Sequence, residues 1–138
     1  MSFHPYLFFG RNCREAFTRY QEVFGGELVL LTGADLPAEE QMPGAGDAIM
    51  HAALTIGDSL LMGSDDPTTD SFGPVQGMMV NHTAADPAEA ERVFEALSEG
   101  GEVRMPMAAT SWSPRFGMCV DRFGTPWMVD VEAPVTVS

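Results

Sequence analysis

The sequence predicts an α+β fold built from two βαβββ modules in tandem, and three observations lead there. One order of elements occurs twice: a strand, a capped helix, Gly-Gly-Glu, then three strands. Gly25-Gly26-Glu27 and Gly100-Gly101-Glu102 lie 75 residues apart, and the N-cap candidates Asn12 and Asp86 lie 74 apart. Each helix carries one apolar stripe, so each covers one face of a sheet and no more. With one helix for four strands, neither module covers both faces of its own sheet. Two such sheets side by side form an incomplete barrel with two outer helices and a concave inner face.

The elements justify themselves in order. Residues 5–9 read as the first strand. Gly10 and Arg11 turn the chain, and Asn12 is placed as an N-cap with Glu15 at capping-box spacing. Ala16, Phe17, Tyr20, Val23 and Phe24 then repeat with helical period, and Gly25-Gly26 stops the helix. Residues 27–32 are a strand, and 33–47, with two prolines, three glycines and four acids, read as a mobile loop. Residues 48–56 and 59–63 form a hairpin around Gly57-Asp58, and 66–74 serve as a linker between modules at about 3–65 and 75–132. The pattern restarts with a strand at 77–83. Asp86 is the second N-cap, Pro87 takes the first helical position, and Glu89 completes a box. Ala90, Val93, Phe94 and Leu97 form the second stripe, and 102–107 is a strand. The most aromatic stretch, 110–130, then reads as a hairpin of strands 115–122 and 125–132, with Gly124 supplying a positive φ between them.

Composition narrows the function. The 138 residues are 45% hydrophobic and 20% charged, which is globular, with a formal charge of −13; the basic residues are all arginine. Such a surface repels phosphate backbones and anionic lipid, which argues against nucleic-acid and membrane partners. Cys13 and Cys119 sit in no metal or disulfide spacing, which suits a reduced, cytoplasmic compartment. The first residues have neither a basic region nor a small-residue cleavage site and read as a strand rather than a signal peptide.

The segments PYLFFGRNCREAFTRYQEVFGGE, LLMGSD, AEAERVFEALSEGGEVRMPM and TSWSPRFGMCVDRFGTPWMVD cover most of the chain. Together they resemble the vicinal-oxygen-chelate superfamily of glyoxalase I, bleomycin-resistance proteins and extradiol dioxygenases, and within it the PhnB-like branch. The resemblance implies a homodimer and a small-molecule cavity between the two sheets. It also implies four metal-ligand positions, on the first and last strands of each half. Carried over, these fall on Pro5 (with His4 beside it), Met62, Met79 or Val80, and Met128. Proline has no ligating side chain and a thioether is a poor ligand for Zn²⁺, Mg²⁺ or Fe²⁺, so no metal and no cofactor is expected. The branch is sometimes labelled a demethylubiquinone methyltransferase, but no Gly-rich loop here follows a strand and opens a helix as adenosyl binders require.

Phe8, Met62, His82, Trp112, Phe116, Met118, Trp127 and Met128 are the expected ligand-binding residues. By the repeat His82 corresponds to Phe8, which lets both look into the cavity. Arg115 and Arg122 read as solvated hairpin-end residues before anionic clamps, and Asp121 and Asp130 as turn or strand-edge acids before general bases. No Ser-His-Asp or Cys-His arrangement follows from spacing. Three function classes remain: a metal-free binder of a small organic molecule, a metal-dependent lyase, isomerase or dioxygenase with a site relocated to His4, His51 or His82, and a drug-sequestering resistance protein.

Overall fold

The computed structural model describes residues 2–41, 46–66, 73 and 75–132. The chain divides into two compact units, 1–72 and 73–138. In the first, β1 (Tyr6–Phe9) leads to α1 (Cys13–Phe24), followed by β2 (Glu27–Thr32), β3 (Ile49–Ile56) and β4 (Ser59–Asp65). The second repeats this with β5 (Val80–Ala84), α2 (Pro87–Ser98), β6 (Glu102–Ala108), β7 (Phe116–Val120) and β8 (Pro126–Val131). Strand order is β1-β4-β3-β2 in one sheet and β5-β8-β7-β6 in the other. β1 runs parallel to β4 and β5 parallel to β8, while every other pairing is antiparallel.

Each helix is held by its apolar stripe. Phe17 and Tyr20 of α1 are fully buried, as are Ala52 and Leu54 of β3, with edge-on ring contacts Phe9–Phe17 at 6.1 Å and Phe17–Tyr20 at 5.5 Å. Gly63 is required here, because a Cβ would stand 2.7 Å from both the Leu7 carbonyl and the Phe17 ring. Val93, Phe94 and Leu97 of α2 are buried with Cys119, Trp127 and Val129. Alternation along the strands leaves the opposite face of each sheet without a helix.

The helix starts depart from expectation. Asn12 makes no side-chain cap. The buried Asp65 at the end of β4 does that work instead: Oδ1 accepts from Arg11 N and Cys13 N, and Oδ2 accepts from Ile49 N, at 2.9–3.1 Å. A carboxylate aimed at the first N–H groups of a helix also complements its dipole. Asp86 caps α2 as expected, accepting from Glu89 N at 2.8 Å. The Glu89 carboxylate, expected to complete the box, hydrogen-bonds Arg92 instead.

The stretch 33–47, read as a mobile loop, is in its described part wound into 3-10 turns at Gly33–Asp35 and Ala38–Glu40. Thr32 donates from both its N and its Oγ1 to Asp35 Oδ2. Residues 42–45 of that loop, and 67–72 and 74 of the linker, lie outside the described residues.

Candidate functional site

The register of each sheet fixes which side chains share its open face. Tyr6 pairs with Met62, Met62 with Ala53, and Ala53 with Val29, so these four form one row across the first sheet. Phe8 and the pair Leu31–His51 lie a step further along the same face. Phe8 is 56% exposed, Val29 53%, and Tyr6 and Leu31 39% each. Tyr6 stacks at a tilt on Phe8, 5.2 Å between centroids, and sets its hydroxyl 3.4 Å from His51 Nδ1.

The corresponding row of the second sheet is Asn81, Met128, Met118 and Met105. Beside it run Thr83, Asp130, Phe116 and Ala108. Trp112 meets the Phe116 ring edge-on at 5.5 Å. This face therefore combines a methionine strip, whose unbranched thioethers adapt to irregular shapes, with a polar strip. In the polar strip Asn81 Nδ2 donates to Asp130 Oδ2 at 3.3 Å, and Thr83 Oγ1 donates to Asn81 Oδ1 at 3.2 Å.

Two expected binding residues are placed elsewhere. Trp127 is 2% exposed, on the α2 side of β8, and its Nε1 donates to Asp121 Oδ2 at 2.9 Å. Alternation explains it, since Trp127 and its neighbour Met128 must face opposite ways. His82 also faces α2. Gly26 and Gly101 approach the carbonyls of Thr55 and Val120 respectively, which aligns Met62 with Met128 and hence Leu7 with His82. His82 is thus the counterpart of Leu7, one residue from the expected Phe8, and one residue inverts the face. Burial lowers its pKa, opposed by the nearby Glu89 and Asp130 carboxylates. Phe8, Met62, Met118 and Met128 stay on open faces; Phe116 shares the Met118 side of β7 by alternation but is buried, 5% exposed, with its ring against Trp112. Tyr6, Val29, Leu31 and Met105 join the open-face residues; alternation from Phe8 along β1 would have found Tyr6, while Val29, Leu31 and Met105 lie on strands that carry no expected binding residue.

The remaining candidates have structural duties. Asp121 organises the β7–β8 turn, with Oδ1 accepting from Phe123 N and Thr125 N. Arg115 pairs with Glu91 of α2, and the Arg122 guanidinium sits 5.0 Å over the Phe123 ring. Neither cysteine is poised as a nucleophile: burial raises Cys13 to about 12 and also raises Cys119. A groove of about 490 Å³ runs along α2 and β6, lined by Glu91, Phe94, Glu95, Ser98, Glu99 and Val103, and includes none of the expected binding residues.

The divalent ion that the resemblance implies needs imidazole or oxygen donors. By register the positions opposite Met62 and Met128 are Tyr6 and Asn81, not Pro5 and Met79 or Val80. Neither the Tyr6–Met62 pair of the first unit nor the Asn81–Met128 pair of the second offers an imidazole or a carboxylate, so neither pair suits Zn²⁺, Mg²⁺ or Fe²⁺. Among the described residues no three His, Cys, Asp or Glu side chains cluster as metal ligands would. His4 is exposed and hydrogen-bonded to Ser2, and His51 meets Tyr6.

A βαβββ unit made twice, each with a helix on one face of an open mixed sheet, is the glyoxalase fold. A glyoxalase/bleomycin resistance/dioxygenase family enzyme from Burkholderia phytofirmans PsJN shares it, with TM-score 0.63 at 13% identity over 93% of this chain and 97% of that one. The family described as 3-demethylubiquinone-9 3-methyltransferase matches residues 1–130, and the chain belongs to that PhnB-like family. The chain is similar to protein PA1353 from Pseudomonas aeruginosa, with TM-score 0.87 at 42% identity over 96% of this chain and 98% of that one. It is also 30% identical to Protein YjdN from Escherichia coli (strain K12), over 95% of each. No helix among the described residues is long and apolar enough to cross a membrane.

Proposed function

We propose that this chain binds a small, partly apolar organic molecule against the open faces of its sheets, without the divalent metal usual in the superfamily. The observation that carries the reading is the row Asn81, Met128, Met118 and Met105. It puts adaptable apolar side chains on an uncovered face and a thioether where metal-binding relatives carry Glu. Tyr6, Phe8 and Met62 give the first sheet a similar apolar floor. Tyr6, Phe8 and Met62 carry no charge to pair with a divalent ion on that floor of the first sheet, so its desolvation goes uncompensated there. Methyl transfer is not part of the proposal: neither helix is preceded by a glycine-rich loop of the kind that holds an adenosyl cofactor. A homodimer, as the family resemblance implies, in the reduced, cytoplasmic compartment that suits Cys13 and Cys119, completes the reading.

The test is thermal denaturation with and without Zn²⁺, Ni²⁺, Mn²⁺ or Fe²⁺. It is run on the wild type and on a variant with His4, His51 and His82 all changed to alanine. The expected result is the same small response in both proteins. A wild type stabilised by several degrees beside an unresponsive variant would replace this reading with a metal-dependent enzyme built on histidine.

A further inference from the structure

The polar strip of the second sheet is unfinished. Thr83 donates to Asn81, and Asn81 donates to Asp130 Oδ2. Asp130 Oδ1 is shielded from solvent and, among the described residues, has no hydrogen-bond partner. Buried carboxylate oxygens are ordinarily paired, and an orphan in a native structure needs an explanation. The structural acids of this chain show the contrast: Asp65 and Asp121 each engage both oxygens with N–H donors. Asp130 lies on the open face, between Thr83 and Phe116 in its row and two residues from Met128 along β8.

We infer that Asp130 is the polar anchor of the ligand site, and that Oδ1 receives an N–H donor of the bound molecule, specifically a protonated amine carried on an apolar body. This rests on the reading that the open face binds a small molecule, and adds the class of that molecule. The charge fits: a carboxylate favours an ammonium over a hydroxyl and repels a carboxylate. The neighbours fit as well, because Met118 and Met128, both part-exposed, offer apolar contact beside the anchor. Methionine's three rotatable bonds allow the site to open toward a shielded oxygen without moving the backbone.

The experiment compares three probes of one shape: phenethylamine, 2-phenylethanol and 3-phenylpropionate. Binding is read from the Met118 and Met128 methyl NMR signals at neutral pH. The amine is expected to bind about tenfold tighter than the alcohol, the scale of one charge-assisted hydrogen bond. Asp130→Asn should bring the two within about twofold, and the propionate should bind weakest. Glu95→Gln, which removes a negative charge from the exposed side of α2, should leave the preference intact. The inference fails if amine and alcohol bind alike, or if Glu95→Gln erodes the preference as much as Asp130→Asn does. The wild-type ratio alone is enough to overturn it should Asp130→Asn not fold. Equal binding by all three probes brings down the role of Asp130 and leaves the binding face standing. Binding by none brings down the binding face, and this inference with it.

Discussion

The two units solve one architectural problem with different residues. In the first, α1 is started from across the sheet by Asp65, and in the second α2 is started by its own N-cap, Asp86. The apolar Leu7 lies under α1 where the imidazole of His82 lies under α2. On the open faces, Tyr6 and Phe8 of the first unit answer to Asn81 and Thr83 of the second. Residues that position the backbone are shared, as with Gly26 and Gly101, each pressed against a carbonyl of the neighbouring strand. Residues that face outward have diverged. The comparison teaches that the repeat preserves the frame while the side chains set on that frame differ between the two units.

Breaking the anchors should separate the units most sharply. Asp65→Ala strands the buried N–H groups of Cys13 and Ile49, at roughly 1–3 kcal/mol each, so a loss of about 4 kcal/mol is expected in urea denaturation. Asp86→Ala removes an exposed cap and should cost about 1 kcal/mol. Equal losses would mean that the two helices are anchored alike.

The shared frame comes next. Gly26→Ala and Gly101→Ala drive a Cβ into the carbonyls of Thr55 and Val120, and each should cost about 2 kcal/mol. Gly25 has a φ of +76° with open space around it, so Gly25→Ala should cost about 1 kcal/mol, from backbone strain alone. The reverse order in melting experiments would place the close approach at the wrong glycine.

The smallest effect concerns His82. Its folded-state pKa is lowered, so the unfolded chain takes up the proton first. Stability held at neutral pH is therefore lost as pH falls through the ordinary histidine value toward the folded one. His82→Leu, which copies Leu7, removes that loss. Its melting temperature should gain on the wild type as pH drops from about 7.5 to about 5.5. Parallel profiles would contradict the placement of His82 under α2.

Much of the frame was legible because glycines and periodicity carry it. The Gly-Gly-Glu repeat located both helix ends, and the apolar stripes named the core of α1 and α2. The face of His82 was not legible. Three residues, Gly10 to Asn12, join β1 to α1, while only Ala85 and Asp86 join β5 to α2. The extra residue is absorbed at Arg11, held at φ +94° with its N–H on Asp65. A spacing of 74 measured on the helices is therefore 75 on the strands, and one residue changes the face. The anchor Asp65 was missed because a cap from a strand more than fifty residues away leaves no local signature. Trp127 was misassigned for a plainer reason: strand alternation already forbids it from sharing a face with Met128.

The central claim is that the open faces, rather than the helix faces, take up a small molecule without a metal. The most direct measurement is a fragment-library titration of the isotope-labelled protein, followed by amide and methyl NMR in the presence of chelator. Bound fragments are expected to shift Phe8, Met62, Met118 and Met128, leaving Val93, Leu97 and Val129 unmoved. Shifts confined to the groove along α2, or binding that appears only when a divalent ion is restored, would contradict it.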